Sequence, residues 1–507
     1  MNKLLALLLL LPTALLAGEG TGSILGRVVY YSNNAGTPVI DVAAHLVQGQ
    51  PPVDNTTLIG PAGDYDLGGL PPDSYFISAF VDFNGSGGPP DPGEPLGWYD
   101  ADGDCQADAV DFVDANLEGI DIALGNIIYV DADAAGMDDG TCWDNAYNYL
   151  RDALAAALAD SEIWVAGGTY RPTTETDRNA TLPMKNGVAI HGGFAGDEIL
   201  RWPRDWTEDP TILSGEIGAP GNGDNSYHVV TALNANASAI LSAVVVANGY
   251  ADGIGGALEQ GGGLFSDNRG TSPSDGPTIT NVVFTNNFAR LHGGAVAAQA
   301  SSPTIVNCEF TGNISGVNGA GVAALNSVPA PPGNPLIVNG TFANNLNTVA
   351  SQATIAKLDS STATVHNTVV WDNTLPAIGD YGSGASPVIS YSIIEGGFAG
   401  DENLDQDPLY FDLDGEDNTP GNIDDELDPI GGSPAIDSGD NAQVPPDLAD
   451  LDSDGDRSEP TPLDVYGQSR FRDDPSAPDG GGGSAPVVDR GAHESQRGED
   501  VFEDGFE

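Results

Sequence analysis

Positively charged residues are scarce in this chain of 507 residues. Lys and Arg together number 16 against 74 Asp and Glu, and the formal net charge at pH 7 is −58. Such an excess of carboxylates repels the phosphates of nucleic acids and anionic membranes, and it attracts multivalent cations. The composition therefore argues against a nucleic-acid partner and points to cation sites.

Long hydrophobic runs are lacking after the first residues, so no transmembrane segment is expected once a signal is removed. The N-terminus has a positive charge at Lys3, a short apolar run over residues 4–11 and small residues before Gly18. This pattern is typical of a secretory signal peptide, which we predict for residues 1–17. Sec-dependent export to the extracellular space or the cell surface is therefore expected.

Cysteine is rare, with three residues in the chain. In an oxidising compartment an odd number leaves at least one thiol free. Cys308 occupies an apolar repeat position and is expected to pack as a small hydrophobic residue. Cys105 and Cys142 flank a domain junction. The sequence leaves open whether they pair, because it does not set the distance between them.

The segment from residue 22 to residue 125 has the pattern of short β-strands. Residues 22–30 alternate in polarity, and residues 63–80 contain two strand patterns joined by a Gly/Pro turn. Short strands separated by turn residues predict a β-sandwich domain over 22–125. The run Gly63-Asp-Tyr-Asp-Leu-Gly-Gly-Leu-Pro-Pro resembles the carboxypeptidase-regulatory or transthyretin-like module of secreted bacterial proteins. That resemblance implies a spacer or adhesive module that carries no catalytic residues.

Acidic side chains alternate with other residues in three turns. Alternating carboxylates in a Gly-rich turn converge their oxygens on a hard cation such as calcium, although a plain solvated turn is the alternative. The second turn, which begins at Asp100, is not a true EF-hand loop, because Cys105 stands in place of the Gly and Asp111 in place of the Glu. The predicted calcium ligands are Asp82, Asn84, Asp91, Glu94, Asp100, Asp102, Asp104, Asp108, Asp111, Asp452, Asp454 and Asp456.

Internal repeats dominate the middle of the chain. A Pro-x-Ile-x-Asn-x-x-Phe-x-x-Asn pattern, partly degenerate in later copies, begins at residues 277, 303, 335, 363 and 387. Steps of this length match single coils of a parallel β-helix. The sequence therefore predicts an all-β protein whose main body, residues 127–400, is a right-handed parallel β-helix.

The repeat positions also predict which side chains stack. Two-residue alternation points the isoleucines of the pattern into one interior column, which contains Ile279, Ile305 and Ile337. The first asparagines of the pattern are expected in one turn column, with side-chain amides bonding to the copies above and below. This column contains Asn281, Asn307 and Asn339.

Both ends of the β-helix have candidate closing elements. Asp144 is expected to cap a short helix over residues 145–158, whose apolar face covers the first coil. The acidic C-terminal segment, residues 401–507, is expected to close the other end. Residues 501–507 resemble a short tail of secreted γ-proteobacterial proteins, which implies an export or attachment signal; the alternative is a frayed acidic end.

Several motifs resemble secreted right-handed β-helix proteins. The coil pattern is similar to that of chlamydial-type polymorphic membrane proteins, and the C-terminal part resembles the choice-of-anchor family. The motifs that carry the second resemblance begin at Asp407, Ser433 and Val488. The resemblance covers most of residues 127–494 and implies secretion or surface display without an assigned reaction.

Catalytic motifs are lacking. The chain has no Gly-x-Ser-x-Gly elbow, His-Glu-x-x-His helix, phosphate loop or Cys-x-x-Cys pair. The bases that a polysaccharide lyase needs are few on the coils, namely Arg269, Arg290 and Lys357, and the acids that a hydrolase would pair are sparse there. The sequence therefore favours a secreted or cell-surface structural, adhesin-like protein that calcium stabilises. The alternative is an extracellular carbohydrate-active enzyme or a polysaccharide-binding module. The expected partner is an extracellular polysaccharide or a host or cell-surface ligand.

Overall fold

The computed structural model describes residues 22–495, except 33–36, 86–88, 92–93, 114, 203, 270–274 and 327–331. The predicted signal peptide and the tail 501–507 lie outside the described residues. Within the described ranges the chain is built of β-strands and turns, with one α-helix, Leu150–Ala156, and three short 3-10 helices. The 3-10 helices are Asn222–Asp224, Gly256–Glu259 and Asn441–Gln443. The predicted all-β class is confirmed.

The first part of the chain is a β-sandwich. One layer pairs Gly22–Tyr31 antiparallel with Ala62–Leu70. The other layer is also antiparallel and contains Asp54–Ile59, Val39–His45, Asp73–Asp82, Leu96–Trp98 and Ala109–Phe112. Alternate side chains of both layers are buried between them, because a strand points successive residues to opposite faces.

One strand, Ile122–Val130, belongs to both the sandwich and the β-helix. Its first half pairs in parallel with Gly22–Tyr31 of the sandwich. Its second half pairs in parallel with Ser161–Ala166 of the first coil. The sandwich sheet therefore continues directly into the β-helix. Cys105 and Cys142 form a disulfide across the same junction, with Cα atoms 5.5 Å apart.

Three parallel sheets form the right-handed β-helix that the repeats predict. We call them the long sheet, the second sheet and the short-strand sheet. From the first coil onward the long sheet contains Ser161–Ala166, Gly168–Tyr170, Val188–Phe194, Thr211–Ser214, Ile240–Ala247, Thr278–Thr285, Thr304–Val306, Glu309–Thr311, Leu336–Val338, Thr341–Ala343, Thr364–His366, Val369–Val370, Val388–Ser390 and Ile393–Ile394. The second sheet contains Leu182–Pro183, Val230–Leu233, Leu264–Asp267, Val296–Gln299, Val322–Leu325, Ile355–Leu358 and Ile378–Tyr381. The short-strand sheet contains Tyr250–Ala251, Phe288–Ala289, Ile314–Ser315 and Leu346–Asn347.

Equivalent side chains of successive coils stack in the apolar interior. The predicted isoleucine column is confirmed, since adjacent strands pair Ile279, Ile305 and Ile337 in register. A parallel stack of rings runs beside it, with centroid separations of 5.1 and 4.2 Å, and contains Phe284, Phe310 and Phe342. Cys308 is free and buried in this core, as expected of a small hydrophobic residue.

The first asparagine column lies where the long-sheet strands bend. Its members have φ between 48° and 55°, a left-handed conformation that Asn tolerates, and they are Asn281, Asn307, Asn339 and Asn367. The column is confirmed, but the predicted bonding between its copies is wrong. These amides instead donate to main-chain carbonyls of Asp464, Leu463, Asp489 and Asp440, because the C-terminal part of the chain packs against the bends.

The amide ladder occurs at the last asparagine of the repeat pattern. Asn287 Nδ2 donates to Asn313 Oδ1 at 3.0 Å, and Asn313 Nδ2 donates to Asn345 Oδ1 at 3.0 Å. Asn345 continues the series to Asn373 at 2.8 Å. The ladder therefore recurs with the repeat, as predicted. It lies at the last asparagine of the pattern, six residues after the asparagine for which it was expected.

The capping helix is shorter than predicted. It spans Leu150–Ala156 rather than 145–158 and follows Tyr149 without a side-chain cap, so Asp144 is not its N-cap. The preceding backbone cannot join the helix, because Tyr147 exchanges hydrogen bonds with the strand Ile122–Val130 and the residue after it. The helix still covers the first coil with its buried face, formed by Leu150, Ala153 and Leu154.

Residues 401–495, which we call the return segment, run back along the outside of the long sheet. They contain one antiparallel pair, Tyr410–Asp412 with Glu426–Pro429. Asp440 contacts a late coil through Asn367, whereas the Ser453 carbonyl accepts a hydrogen bond of 3.2 Å from Arg27 in the sandwich. The return segment therefore covers one face of the β-helix from its last coils to the sandwich, in addition to following the last coil.

Candidate functional site

A cleft of about 720 Å³ lies between the long sheet and the return segment. Outward-facing residues of several coils form its floor, and Trp206 and Tyr466 lie in its wall. Its lining includes six acidic residues, which are Glu309, Glu416, Asp424, Asp425, Glu426 and Asp428. The sheet contributes one of these acids and the return segment contributes five, so the acidic cleft exists only because the two are packed together.

Glu309 is the acid on the floor of the cleft. Its position in the neighbouring coils is occupied by Val283 and Thr341, so the glutamate interrupts an uncharged column. Glu309 Oε2 lies 3.0 Å from Nε2 of His493, and both side chains are almost fully buried. His493 Nδ1 lies 3.8 Å from Oδ1 of Asp428, whose side chain is partly exposed.

Burial and neighbouring charges shift the pKa values of Glu309 and His493. Burial raises the pKa of Glu309, although the hydrogen bond and the charge of His493 act against it. Burial disfavours the charged form of His493, but the carboxylates of Asp428 and Glu309 outweigh it and raise the pKa of the imidazole. A carboxyl with a raised pKa beside a second carboxylate is the arrangement that general acid catalysis of glycosidic bond cleavage needs.

Asp425 is held in place by neutral donors. Its Oδ2 accepts hydrogen bonds from Thr311 Oγ1 at 2.7 Å, from Asn344 Nδ2 at 3.2 Å and from the Gly421 N–H at 2.8 Å. Burial raises the pKa of this carboxyl, and these donors oppose the shift. Asp425 therefore ties the wall of the cleft to two adjacent coils.

The basic residues on the coils have structural ion-pair partners. Arg290 Nη1 contacts Glu259 of the preceding coil. Arg269 pairs with Asp267 at 2.5 Å, and the buried Lys357 amine lies 2.7 Å from Asp380. None of these basic residues lines the cleft, so a lyase base at one of them finds no support in the described residues.

The turn beginning at Asp100 brings together part of its predicted ligand set. Asp100, Asp102 and Asp108 each place a carboxylate oxygen within 4.8 Å of the other two. Burial raises the pKa of Asp100, although backbone N–H groups of Cys105 and Gly103 lower it. The other two predicted ligands turn elsewhere: Asp104 accepts hydrogen bonds from Gln106, and Asp111 accepts one from Ser74.

The first predicted calcium turn is held by hydrogen bonds among its own residues. Asn84 Nδ2 donates to Asp91 Oδ2 at 2.9 Å. Glu94 accepts the backbone N–H groups of Phe83 and Asp91, and Asp82 accepts that of Asn84. In the described part of this turn, no three acidic side chains converge as they do in the turn of Asp100.

The C-terminal turn forms a larger acidic group than predicted. Asp452 belongs to two sets of carboxylates that lie within 4.8 Å of one another, one with Asp450 and Asp454 and the other with Asp447 and Glu459. Burial raises the pKa of Asp447 to about 7, and burial and neighbouring carboxylates raise the pKa of Glu459 to about 7.

The third predicted ligand of that turn, Asp456, lies outside both sets and accepts hydrogen bonds from Ser458. The predicted ligand set did not include Asp447, Asp450 and Glu459, although Asp450 begins the same run of alternating acids and Glu459 follows it. The available signal was their closeness in sequence to Asp452.

In the part of the chain that the structure describes, the single α-helix has seven residues, and no helical segment there could span a lipid bilayer. The family model for right-handed β-helix regions matches residues 262–400, the coils from the second-sheet strand Leu264–Asp267 onward. A solved structure, the crystal structure of pectate lyase Pel9A, aligns with 73% of this chain and 96% of its own at 12% identity, with a TM-score of 0.29. The curated proteins contain no significant match. A likeness this distant carries no statement about activity.

Proposed function

We propose that the protein works outside the cell as a rigid, calcium-stabilised β-helix scaffold with an adhesive role at a surface. The observation that supports this proposal is the packing of the return segment. This acidic part of the chain is held against the coils by buried contacts. Arg201 makes the central contact, pairing with Glu162 of the first coil and Asp450 of the return segment. Export is supported by the signal-peptide pattern of residues 1–17.

Calcium enters the proposal because carboxylates are crowded in the sandwich and at the place where the return segment reaches it. Asp100, Asp102 and Asp108 lie in the sandwich, and the group around Asp452 lies where the return segment reaches it. A divalent cation offsets the repulsion within such groups, and oxygen ligands suit calcium. Bound calcium would therefore stabilise the contact between sandwich, coils and return segment.

Binding of the purified mature chain to surfaces tests the adhesive role. We expect calcium-dependent retention on an array of extracellular polysaccharides or on intact cells, because EDTA removes the ions that hold the acidic groups together. A folded protein of similar net charge serves as the matched control. Retention equal to that control, with and without calcium, would contradict the proposal.

A second candidate, action on an extracellular polysaccharide, is favoured by one observation. Glu309, with a raised pKa, and Asp428 lie on the same cleft and are bridged by His493. Release of new reducing ends from a panel of polysaccharides tests this function. Activity that falls at least about a hundredfold in Glu309→Gln but not in Glu416→Gln would support it. Absence of turnover in the unmodified chain would exclude this second candidate and retain the scaffold function.

A further inference from the structure

The return segment holds another acidic group, away from the cleft and from the predicted calcium turns. Asp437, Asp473 and Asp479 each place a carboxylate oxygen within 4.8 Å of the other two. Asp437 is fully buried, whereas Asp473 and Asp479 are exposed. The group therefore has one interior member and two members that solvent reaches.

Hydrogen bonding leaves one oxygen of Asp437 unused. Oδ2 accepts the backbone N–H of Asp474 at 3.2 Å, while Oδ1 is buried without a hydrogen-bond partner. Asp474 is 7% exposed, and its Oδ2 is also buried without a partner, although its Oδ1 accepts from Ser476. Leaving a buried acceptor unsatisfied costs about 1–3 kcal/mol, and more for a charged group. The unpaired, buried oxygen of Asp437, a residue grouped with two further carboxylates, indicates a positively charged ligand.

The protein holds this carboxylate in place with its own backbone contacts. The N–H of Asp437 donates to Asp489 Oδ1 at 2.7 Å, and the N–H of Gly480 donates to the Asp437 carbonyl at 2.9 Å. Asp489 and Glu494 are buried behind Asp437 and form a second set with it, all within 4.8 Å. Arg470 Nη1, 3.3 Å from Glu494, offsets part of this inner charge.

We propose that Asp437, Asp473 and Asp479 bind a divalent cation of the calcium class. The ligand atoms are all carboxylate oxygens, which hard cations prefer. Oxygens within 4.8 Å of one another are close enough to share one calcium ion, because two ligands on opposite sides of calcium are separated by about twice the calcium–oxygen distance of about 2.4 Å. The bound ion pins the loop 473–483 to the buried Asp437. This site extends the calcium part of the proposed function to new residues and is independent of adhesion.

Calorimetric titration of the mature chain with calcium tests the site. The variants are Asp473→Asn and Asp479→Asn, which alter exposed side chains and therefore preserve the fold, and Asp437→Asn, since Asn tolerates the φ of 49° at that position. The matched control is Asp401→Asn, which removes the same charge from an exposed position outside these groups. We expect one calcium equivalent to bind at least about tenfold more weakly in the first three variants and unchanged in the control.

Limited proteolysis provides a readout that does not depend on heats of binding. Calcium should slow cleavage within residues 473–483 in the unmodified chain and in Asp452→Asn, but not in Asp479→Asn. Equal calcium stoichiometry and affinity in Asp479→Asn and Asp401→Asn would overturn the site, as would a chain that binds no calcium. Loss of surface retention with this calcium equivalent intact would contradict the adhesive role and not the site.

Discussion

Arg201 and Asp450 form a buried ion pair across 249 residues of sequence, with Nη2 and Oδ2 3.0 Å apart. The other terminal nitrogen, Nη1, lies 2.9 and 3.0 Å from the two oxygens of Glu162. Arg201 is fully buried, and Glu162 is 1% exposed. The Arg201 guanidinium thus pairs with two carboxylates and joins the first coil to the return segment, and Arg457 of the return segment lies 3.7 Å from Glu162 as a second cation.

Replacing Arg201 with Met should strongly destabilise the fold. The substitution leaves Glu162 and Asp450 buried without their closest cation, while Arg457, 3.7 Å from Glu162, offsets only part of their charge. Removing one partner of a buried ion pair typically costs about 3–5 kcal/mol. Urea denaturation measures the change in the free energy of unfolding. The control is Arg269→Met, whose pair with Asp267 is half-exposed and should contribute less than about 1 kcal/mol. Equal effects of both substitutions would show that the Arg201 contacts do not stabilise the fold.

The asparagine ladder makes a separate prediction. Asn313→Ala removes the donor to the Phe284 carbonyl, at 2.8 Å, and the Oδ1 that accepts the Asn287 N–H, at 3.2 Å, leaving both groups buried without these partners. We expect a loss of about 1–3 kcal/mol in the free energy of unfolding. Asn179→Ala, at an exposed position, should change the same quantity by less than about 0.5 kcal/mol. A similar small change in Asn313→Ala would contradict a stabilising ladder.

Calcium removal should lower the thermal stability of the chain. A cation present at 100 times its dissociation constant adds about 2.7 kcal/mol per site, so the melting temperature in EDTA should fall by several degrees. Asp452→Asn should reduce this difference, because Asp452 belongs to both acidic sets of its turn. Asp456→Asn should leave it unchanged, since Asp456 is directed to Ser458. Identical melting of all three chains with and without EDTA would argue for plain acidic turns.

The Glu309–His493 pair should make stability depend on pH. Both groups have a raised pKa, so the stability that each contributes is present below its ordinary value, 4.5 for Glu309 and 6.5 for His493, and is lost as the pH rises through the folded value. Glu309→Gln fixes the neutral form of this side chain. Its free energy of unfolding should therefore fall less steeply than that of the unmodified chain between about pH 5 and about pH 8. Parallel curves from urea denaturation would exclude this linkage.

The β-helix could be predicted from the sequence because each coil repeats a local pattern. Ile279 and Ile305 pair in register because the same alternation recurs in each copy. The predicted capping helix is too long because it begins after Asp144 as its cap, whereas the backbone of Tyr147 pairs with Tyr129 and Asp131. Local pattern thus identified the elements, and tertiary contacts set their ends.

The cleft could not be predicted, because it depends on contacts between distant and irregular segments. Glu309 and His493 are separated by 184 residues, and nothing periodic connects them. The sequence predicts that the acids of residues 416–428 belong to a segment closing the end of the β-helix, and the return segment also places them over the long sheet. Acids are sparse among the coil residues themselves, as the sequence predicts. The cleft that these residues form with the return segment is nevertheless acidic.

The strand Ile122–Val130 also determines how a mechanical load passes between the two units. A force that separates the sandwich from the β-helix acts directly on paired backbone, because the first half of this nine-residue strand is paired to Gly22–Tyr31 and its second half to Ser161–Ala166. The Cys105–Cys142 bond spans the same junction. Tension is therefore carried jointly by this disulfide and by the strand hydrogen bonds, so the junction resists separation of the sandwich from the β-helix.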